Sequence, residues 1–329
     1  MTKIPVNPTW LGLIIGTFAG WNVNAQMSIG VVPHVDSSSA NRVMTVPFVT
    51  VRAIEQNKKG LHYYGIERGE ASVGYCTVAL DARKNRQIIG LQQNTLDEVL
   101  DRFSGLDGKV AIYIHGYNVA FEQSCRDAAL LQERVGLEGR LLLFIWPSDG
   151  NAASYLRDVG DIEWSVVPLR DLLVTLVDRF GPQNIDLIGH SLGAKGVVDA
   201  VSAFGEVRGR DVMLGHLILI APDLDSDIFV RDFATFGELA SAVTVYVSAQ
   251  DRALRTSRNV RNEPRVGEGG IDLSQLDGID VVEVLQRRLI FSSRHLYHLK
   301  DENVAEDLRE VLSGPPLTSE WRTISSGQN

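Results

Sequence analysis

The chain has 329 residues, 44% of them apolar and 22% charged, with a net charge of −9. That length can bury a substantial core in one large domain or two small ones, and the composition carries no disorder signature. An acidic balance argues against a nucleic-acid partner, which needs a basic face.

At the N-terminus, Lys3 precedes an apolar run from Trp10 to Trp21, and Val23-Asn24-Ala25 follows with small residues suited to cleavage before Gln26. The pattern reads as an export signal over residues 1–25. The run is too short to span a bilayer, so no stable membrane span is expected in the mature chain. If the signal is cleaved, the protein is periplasmic or secreted, and Cys76 and Cys125 can form a disulfide. If it is not, the protein is cytoplasmic and each cysteine reads as a small buried hydrophobe. Two cysteines without paired spacing make no metal site, and neither metal nor organic cofactor is expected.

Residues 26–85 read as a β-rich extension packed on the core, with strand-like runs at Val46–Val51, Leu61–Ile66 and Gly74–Leu80. Strands and helices then alternate over 86–313. Thr95 and Glu98 form a capping box that opens a helix to Phe103. Lys109 to Ile114 is an apolar strand running into His115-Gly116-Tyr117-Asn118. Phe121, Cys125, Ala128 and Val135 share one helical face, and Leu141 to Trp146 is another strand. Leu169, Leu172, Leu173, Leu176 and Phe180 are spaced as the core stripe of a helix. The apolar run Asn184 to Gly189 follows, then a helix with Ala194, Val197, Val198 and Val201 inward. Leu217–Ala221 and Val243–Val247 are further buried strands, Ile279–Val284 reads as the last, and Asn303–Leu312 as a closing helix. Beyond Gly314-Pro315-Pro316, residues 314–329 read as a loose tail. Repeated strand–helix units with continuously apolar strands indicate an α/β fold, a mostly parallel sheet covered by helices on both faces. Sites in such sheets lie at the C-terminal ends of the strands.

The most informative segment is Gly189-His190-Ser191-Leu192-Gly193. Gly-x-Ser-x-Gly between a strand and a helix describes a sharp turn that holds one serine over the end of the sheet. By itself it is a weak signal. A serine hydroxyl needs a base within hydrogen-bond reach, oriented by a third group, in the chain order serine, acid, histidine. Asp251, just past the strand ending at Val247, is the preferred acid, with Asp223 past the preceding strand as the alternative. His295 and His298 are the histidines that follow Asp251; His295, nearer the strand end, is the preferred base and His298 the alternative. His190 reads as a residue that shapes the turn. An oxyanion would meet the N–H of Leu192, at the start of a helix, and the N–H of Tyr117 in the His-Gly turn.

His115-Gly116-Tyr117-Asn118, Trp146-Pro147-Ser148, Gly189 to Gly193, Ala221-Pro222-Asp223, Ser248 to Leu254 and His295-Leu296-Tyr297 stand in the order seen in α/β-hydrolases. Over roughly residues 45–312 the chain resembles a bacterial, esterase-like serine hydrolase family catalogued as a domain of unknown function. The resemblance implies Ser191 as nucleophile, His295 as base and Asp251 as acid. Leu296 and His298 flank Tyr297 where a small residue and an aromatic one are expected.

The segment from Trp146 to Trp164 and the insertion from Ala253 to Gly278 return over the same rim and read as pocket wall and partial cover, with Tyr117, Tyr155 and Trp164 as candidate walls. Arg252, Arg255, Arg258, Arg261 and Arg265 read as a solvated basic loop. The leading expectation is an esterase acting on a small acyl ester through an acyl-enzyme. A lipase, thioesterase or amidase with the same triad, or a non-catalytic binding module on the hydrolase fold, are the alternatives. The sequence leaves the acyl group and the oligomeric state open.

Overall fold

A computed structural model of the chain describes residues 40–55, 63–81, 86–105, 109–273, 276–286, 294–314 and 321–325. The expected export signal lies outside the described residues. The first strands, β1 (Ala40–Ile54), β2 (Tyr64–Asp81) and β3 (Arg86–Asn94), pair antiparallel in sequence. There follow α1 (Leu96–Asp101), β4 (Val110–Ile114), α2 (Phe121–Val135), β5 (Leu141–Ile145), α3 (Tyr155–Trp164) and α4 (Val166–Phe180). The chain continues through β6 (Ile185–His190), α5 (Leu192–Arg208), β7 (Leu214–Ile220), α6 (Ser226–Phe236), β8 (Ala240–Val247) and α7 (Arg252–Arg261). It closes with β9 (Ile279–Leu285), α8 (Tyr297–Lys300), α9 (Glu302–Ser313) and β10 (Trp321–Ser325).

All the described strands join one 10-stranded sheet in the order β10-β9-β8-β7-β6-β4-β5-β1-β2-β3. From β1 to β10 the neighbours run parallel. Strands buried on both faces need apolar residues at every position, and β4, β5, β6 and β7 are buried throughout. Alternate residues feed opposite layers. Ile112, Leu142, Phe144 and Leu187 pack with Leu169, Leu173, Val197 and Phe204 of α4 and α5. Tyr113, Leu141, Leu143 and Ile188 pack with Leu131 of α2 and Leu308 and Val311 of α9. No helix among the described residues is long and apolar enough to cross a membrane.

The N-terminal β-rich region packs against α2 through Phe48, Cys76 and Ile88, and it also extends the core sheet, through Phe48, Val49 and Thr50 paired with Leu143, Phe144 and Ile145. Of the runs expected as separate strands, residues 64–66 and 74–80 belong to the single strand β2, residues 61 and 62 lying outside the described residues, and Arg86–Asn94 adds a strand where none was expected. The tail also contains a strand. Trp321–Ser325 pairs with Val281–Leu285, and Arg322 forms ion pairs with Asp280 and Asp307, giving this short segment the partners its own apolar content could not supply. Cys76 of β2 is disulfide-bonded to Cys125 of α2.

Candidate active site

β6 is buried to its end at His190, and α5 begins at Leu192, so Ser191 alone makes the turn. Its backbone sits at φ 55°, ψ −121°, a region that costs a non-glycine residue about 1–3 kcal/mol. Hydrogen bonds hold it there. Ser191 N–H donates to Ile220 O at 3.0 Å, and Ser191 O accepts from Ala194 N–H at 3.0 Å and Asp223 N–H at 3.2 Å. A Cβ at Gly193 would overlap the carbonyl oxygens of Ile114 and His115, so only glycine lets α5 start this close to β4.

Asp251 and His295 come from the loops after β8 and β9, on the rim that carries Ser191. His295 Nδ1 lies 2.7 Å from Asp251 Oδ2. A carboxylate can only accept, so Nδ1 carries a proton, and in the neutral imidazole Nε2 is then the acceptor. The other oxygen, Asp251 Oδ1, accepts from Ala253 N–H at 2.9 Å and Leu254 N–H at 3.1 Å, capping α7. The positive end of that helix dipole thus faces the carboxylate. Among the described residues no hydrogen bond joins Ser191 Oγ to His295 Nε2; such contacts are often long before substrate binds.

Neither alternative residue meets His295's ring as its partner or replaces it. Asp223 accepts from Tyr155 Oη at 2.8 Å and Ser257 Oγ at 2.6 Å, with Arg265 Nε at 3.8 Å. His298 is fully buried, its Nε2 hydrogen-bonded to Tyr113 Oη at 3.3 Å. Burial, reinforced by His295, pushes its pKa down to about 3.

His190 has a larger role than the sequence suggested. Its Nε2 lies 3.0 Å from the backbone oxygen of His295, which can only accept, so His190 donates and holds the histidine loop. Burial and the neighbouring His298 and His295 keep its pKa well below the usual histidine range, leaving it neutral. On its other side, a Cβ at Gly116 would come within 2.7 Å of His190 Nδ1 and 3.0 Å of Ser191 Cβ. One imidazole therefore packs between the elbow, the His-Gly turn and the histidine loop.

The His-Gly-Tyr-Asn and Trp-Pro-Ser segments form one unit. Trp146 Nε1–H donates to His115 O at 2.8 Å, and the two rings stack 5.1 Å apart. Asn118 takes the left-handed conformation, φ 60°, that asparagine tolerates well. Its N–H donates to Asp158 Oδ2 at 3.2 Å; Ser148 Oγ–H donates to the same oxygen at 2.5 Å, and Asp149 N–H to Oδ1 at 2.9 Å. Ser148 Oγ in turn accepts from Val119 N–H at 3.1 Å. Beneath both loops the buried Arg52 donates to Gly65 O, Val119 O and Ser148 O at 2.8–3.0 Å. Arg52 and Asp158 were missed by the motif reading. Arg52 continues the face of Phe48 and Thr50 at the strand period, so an arginine in an inward register was the available signal.

Of the expected wall residues, Tyr117 and Tyr155 meet edge-on with centroids 5.3 Å apart, while Trp164 lies under the guanidinium of Arg68 at 5.6 Å. Asp149, Asp158 and Asp161 bring carboxylate oxygens within 4.8 Å of one another. Arg68 and Arg157 supply the countercharge, at 2.6 Å and 3.6 Å from Asp161, and Asp158 is committed to the loops.

The model of a family described as "Alpha/beta hydrolase of unknown function (DUF900)" matches residues 92–310. No curated protein matches the sequence. Among solved structures, EstE5 with PMSF is 16% identical, covering 78% of this chain and 72% of its own, at a TM-score of 0.30. An esterase/lipase from an uncultured bacterium is 14% identical over the same shares, 78% and 72%, at 0.27. An esterase from the bacterial hormone-sensitive lipase family is 13% identical, covering 89% and 76%, at 0.33.

Proposed function

The chain belongs to the family of alpha/beta hydrolases of unknown function designated DUF900, and on that premise we propose that it is a serine hydrolase cleaving carboxylic esters. The observation that carries this reading is the 2.7 Å bond from His295 Nδ1–H to Asp251 Oδ2 on the rim that presents Ser191 in its strained turn. With Nδ1 protonated, Nε2 is free to take the Ser191 hydroxyl proton as Oγ attacks the ester carbonyl carbon. The N–H groups of Leu192 and Tyr117 stabilise the oxyanion. His295 then returns the proton to the departing alcohol, leaving Ser191 acylated. Water, deprotonated by the same Nε2, releases the acid and restores the hydroxyl. A hydrolase reading is tested by p-nitrophenyl acetate or butyrate turnover in wild type and Ser191→Ala. Loss of turnover in the variant is expected; turnover that survives it contradicts the assignment.

Export is part of the same proposal. The Cys76–Cys125 disulfide supports an oxidising compartment, consistent with the N-terminal signal pattern.

A further inference from the structure

α7 is strongly basic in an acidic protein. Its sequence, Arg252-Ala253-Leu254-Arg255-Thr256-Ser257-Arg258-Asn259-Val260-Arg261, contains no carboxylate, while the whole chain carries a net charge of −9. Elsewhere Arg42, Arg68, Arg157, Arg179 and Arg208 each sit within 4.0 Å of an Asp or Glu oxygen, while Arg102 lies over the Tyr75 ring and Arg126 and Arg309 bond to Gln123 and Arg134 O. On α7 Arg258 has such a partner, Glu268 at 3.4 Å. Arg252, Arg255 and Arg261 have none among the described residues. Arg252 stands in the first turn, where the helix dipole opposes a cation. Arg258 and Arg261, in the last turn, are favoured by the same dipole, so Arg252 and Arg255 are the cations it does not account for.

α7 is fastened to the candidate site at both ends. Its N-cap is Asp251. Near its C-terminus Ser257 Oγ–H donates to Asp223 Oδ1, and Arg261 Nε–H donates to Tyr155 Oη at 3.1 Å, with the guanidinium 5.5 Å from the ring centroid. Tyr155 packs on Tyr117, and Asp223 N–H donates to Ser191 O. Asp223 has Arg265 as its countercharge, 3.8 Å away, so Arg261 is not needed for that. The Nε bond fixes the guanidinium plane against the wall of the site, while its two Nη groups make no hydrogen bond among the described residues. A planar fork of donors suits the planar carboxylate, which it can bind through two parallel hydrogen bonds.

We propose that Arg261, within the positive field of Arg252 and Arg255, binds a carboxylate on the substrate, so that the enzyme prefers esters bearing a negative charge away from the scissile bond. The inference rests on the ester-hydrolase reading above and names its substrate class. The field raises the local concentration of anionic esters, and the fork orients them.

The test compares two p-nitrophenyl esters of equal acyl length, the hexanoate and the half-ester of adipate. The ratio of kcat/KM, adipate over hexanoate, is expected to be about tenfold or more in wild type at low salt, falling toward unity by about 0.5 M NaCl. Arg261→Gln is expected to lower that ratio at least about fivefold, and Arg261→Lys, which keeps the charge without the fork, by less. Should Arg261→Gln not fold, the double variant Arg252→Gln/Arg255→Gln, at exposed positions, must still lower the ratio. A wild-type ratio at or below unity, or a ratio unaltered in these variants, overturns the carboxylate site while ester hydrolysis stands. Failure to hydrolyse either ester, together with no labelling by a fluorophosphonate, overturns the hydrolase reading and this inference with it.

Discussion

His295 donates through Nδ1 to one oxygen of Asp251 at 2.7 Å, while the other oxygen of the same carboxylate caps α7. Asp251 thus does two separable things. Asn retains capping ability but offers no second anionic oxygen, and it leaves the His295 tautomer unspecified. Asp251→Asn should lower kcat by roughly a thousand- to ten-thousand-fold with the melting temperature nearly unchanged. Asp251→Ala should lose the same activity and about 1 kcal/mol of stability besides. Steady-state kinetics and thermal melts of the two variants check both halves.

Buried neutral histidines make stability depend on pH. His298 and His115 are held at a pKa of about 3 by burial, aided by His295 and Arg52 respectively. In the unfolded chain they titrate near 6.5, so below that pH the unfolded state binds more protons and stability falls as pH falls. Asp127, raised by burial to about 6, works in the opposite direction as pH falls from 6, so a difference measurement is needed. The stability advantage of wild type over His298→Asn should shrink by up to about 1.4 kcal/mol per pH unit between pH 6.5 and 4.5. Urea denaturation of both proteins across that range checks it; a constant gap would refute the neutral, buried state of His298. The same variant should retain far more activity than His295→Asn.

Asp158 ties the loop after β4 to the loop after β5 through Ser148 Oγ and the N–H groups of Asn118 and Asp149. Removing the carboxylate leaves buried donors unpaired, so Asp158→Ala should cost about 3–5 kcal/mol. Because those loops position Tyr117 N–H, kcat should fall about 100-fold while KM moves little. Equal effects on kcat and KM would make Asp158 merely structural. Asp158→Asn, which keeps one acceptor oxygen, should recover part of kcat.

The elbow was legible because its parts are contiguous: an apolar run, a Gly-x-Ser-x-Gly turn and a helix stripe. The parallel order of the sheet followed from the same continuity. The choice between Asp251 and Asp223, or His295 and His298, was not settled by spacing, since each pair occupies the same rim and only side-chain direction separates them. Arg52 and Asp158 act on backbone atoms of distant segments, and no local pattern encodes such a partner. β10 was read as loose tail because it follows the helix-ending Gly314-Pro315-Pro316; its ion pairs to Asp280 and Asp307 exist only in the fold.

The Cys76–Cys125 bond joins β2 to the helix that follows the His-Gly turn. At a sequence separation of 49, its reduction should cost about 4 kcal/mol on the chain-entropy account. Denatured, unreduced protein should show no titratable thiol, and two after reduction. Two thiols before reduction would contradict the bond and the proposed oxidising compartment.

The central claim is that Ser191 becomes acylated under the action of His295. Intact-mass and peptide analysis after treatment with a fluorophosphonate tests it most directly. One adduct per chain is expected, mapped to Ser191, absent in Ser191→Ala and formed much more slowly in His295→Asn. An adduct on another residue, or labelling that persists in Ser191→Ala, would contradict the account.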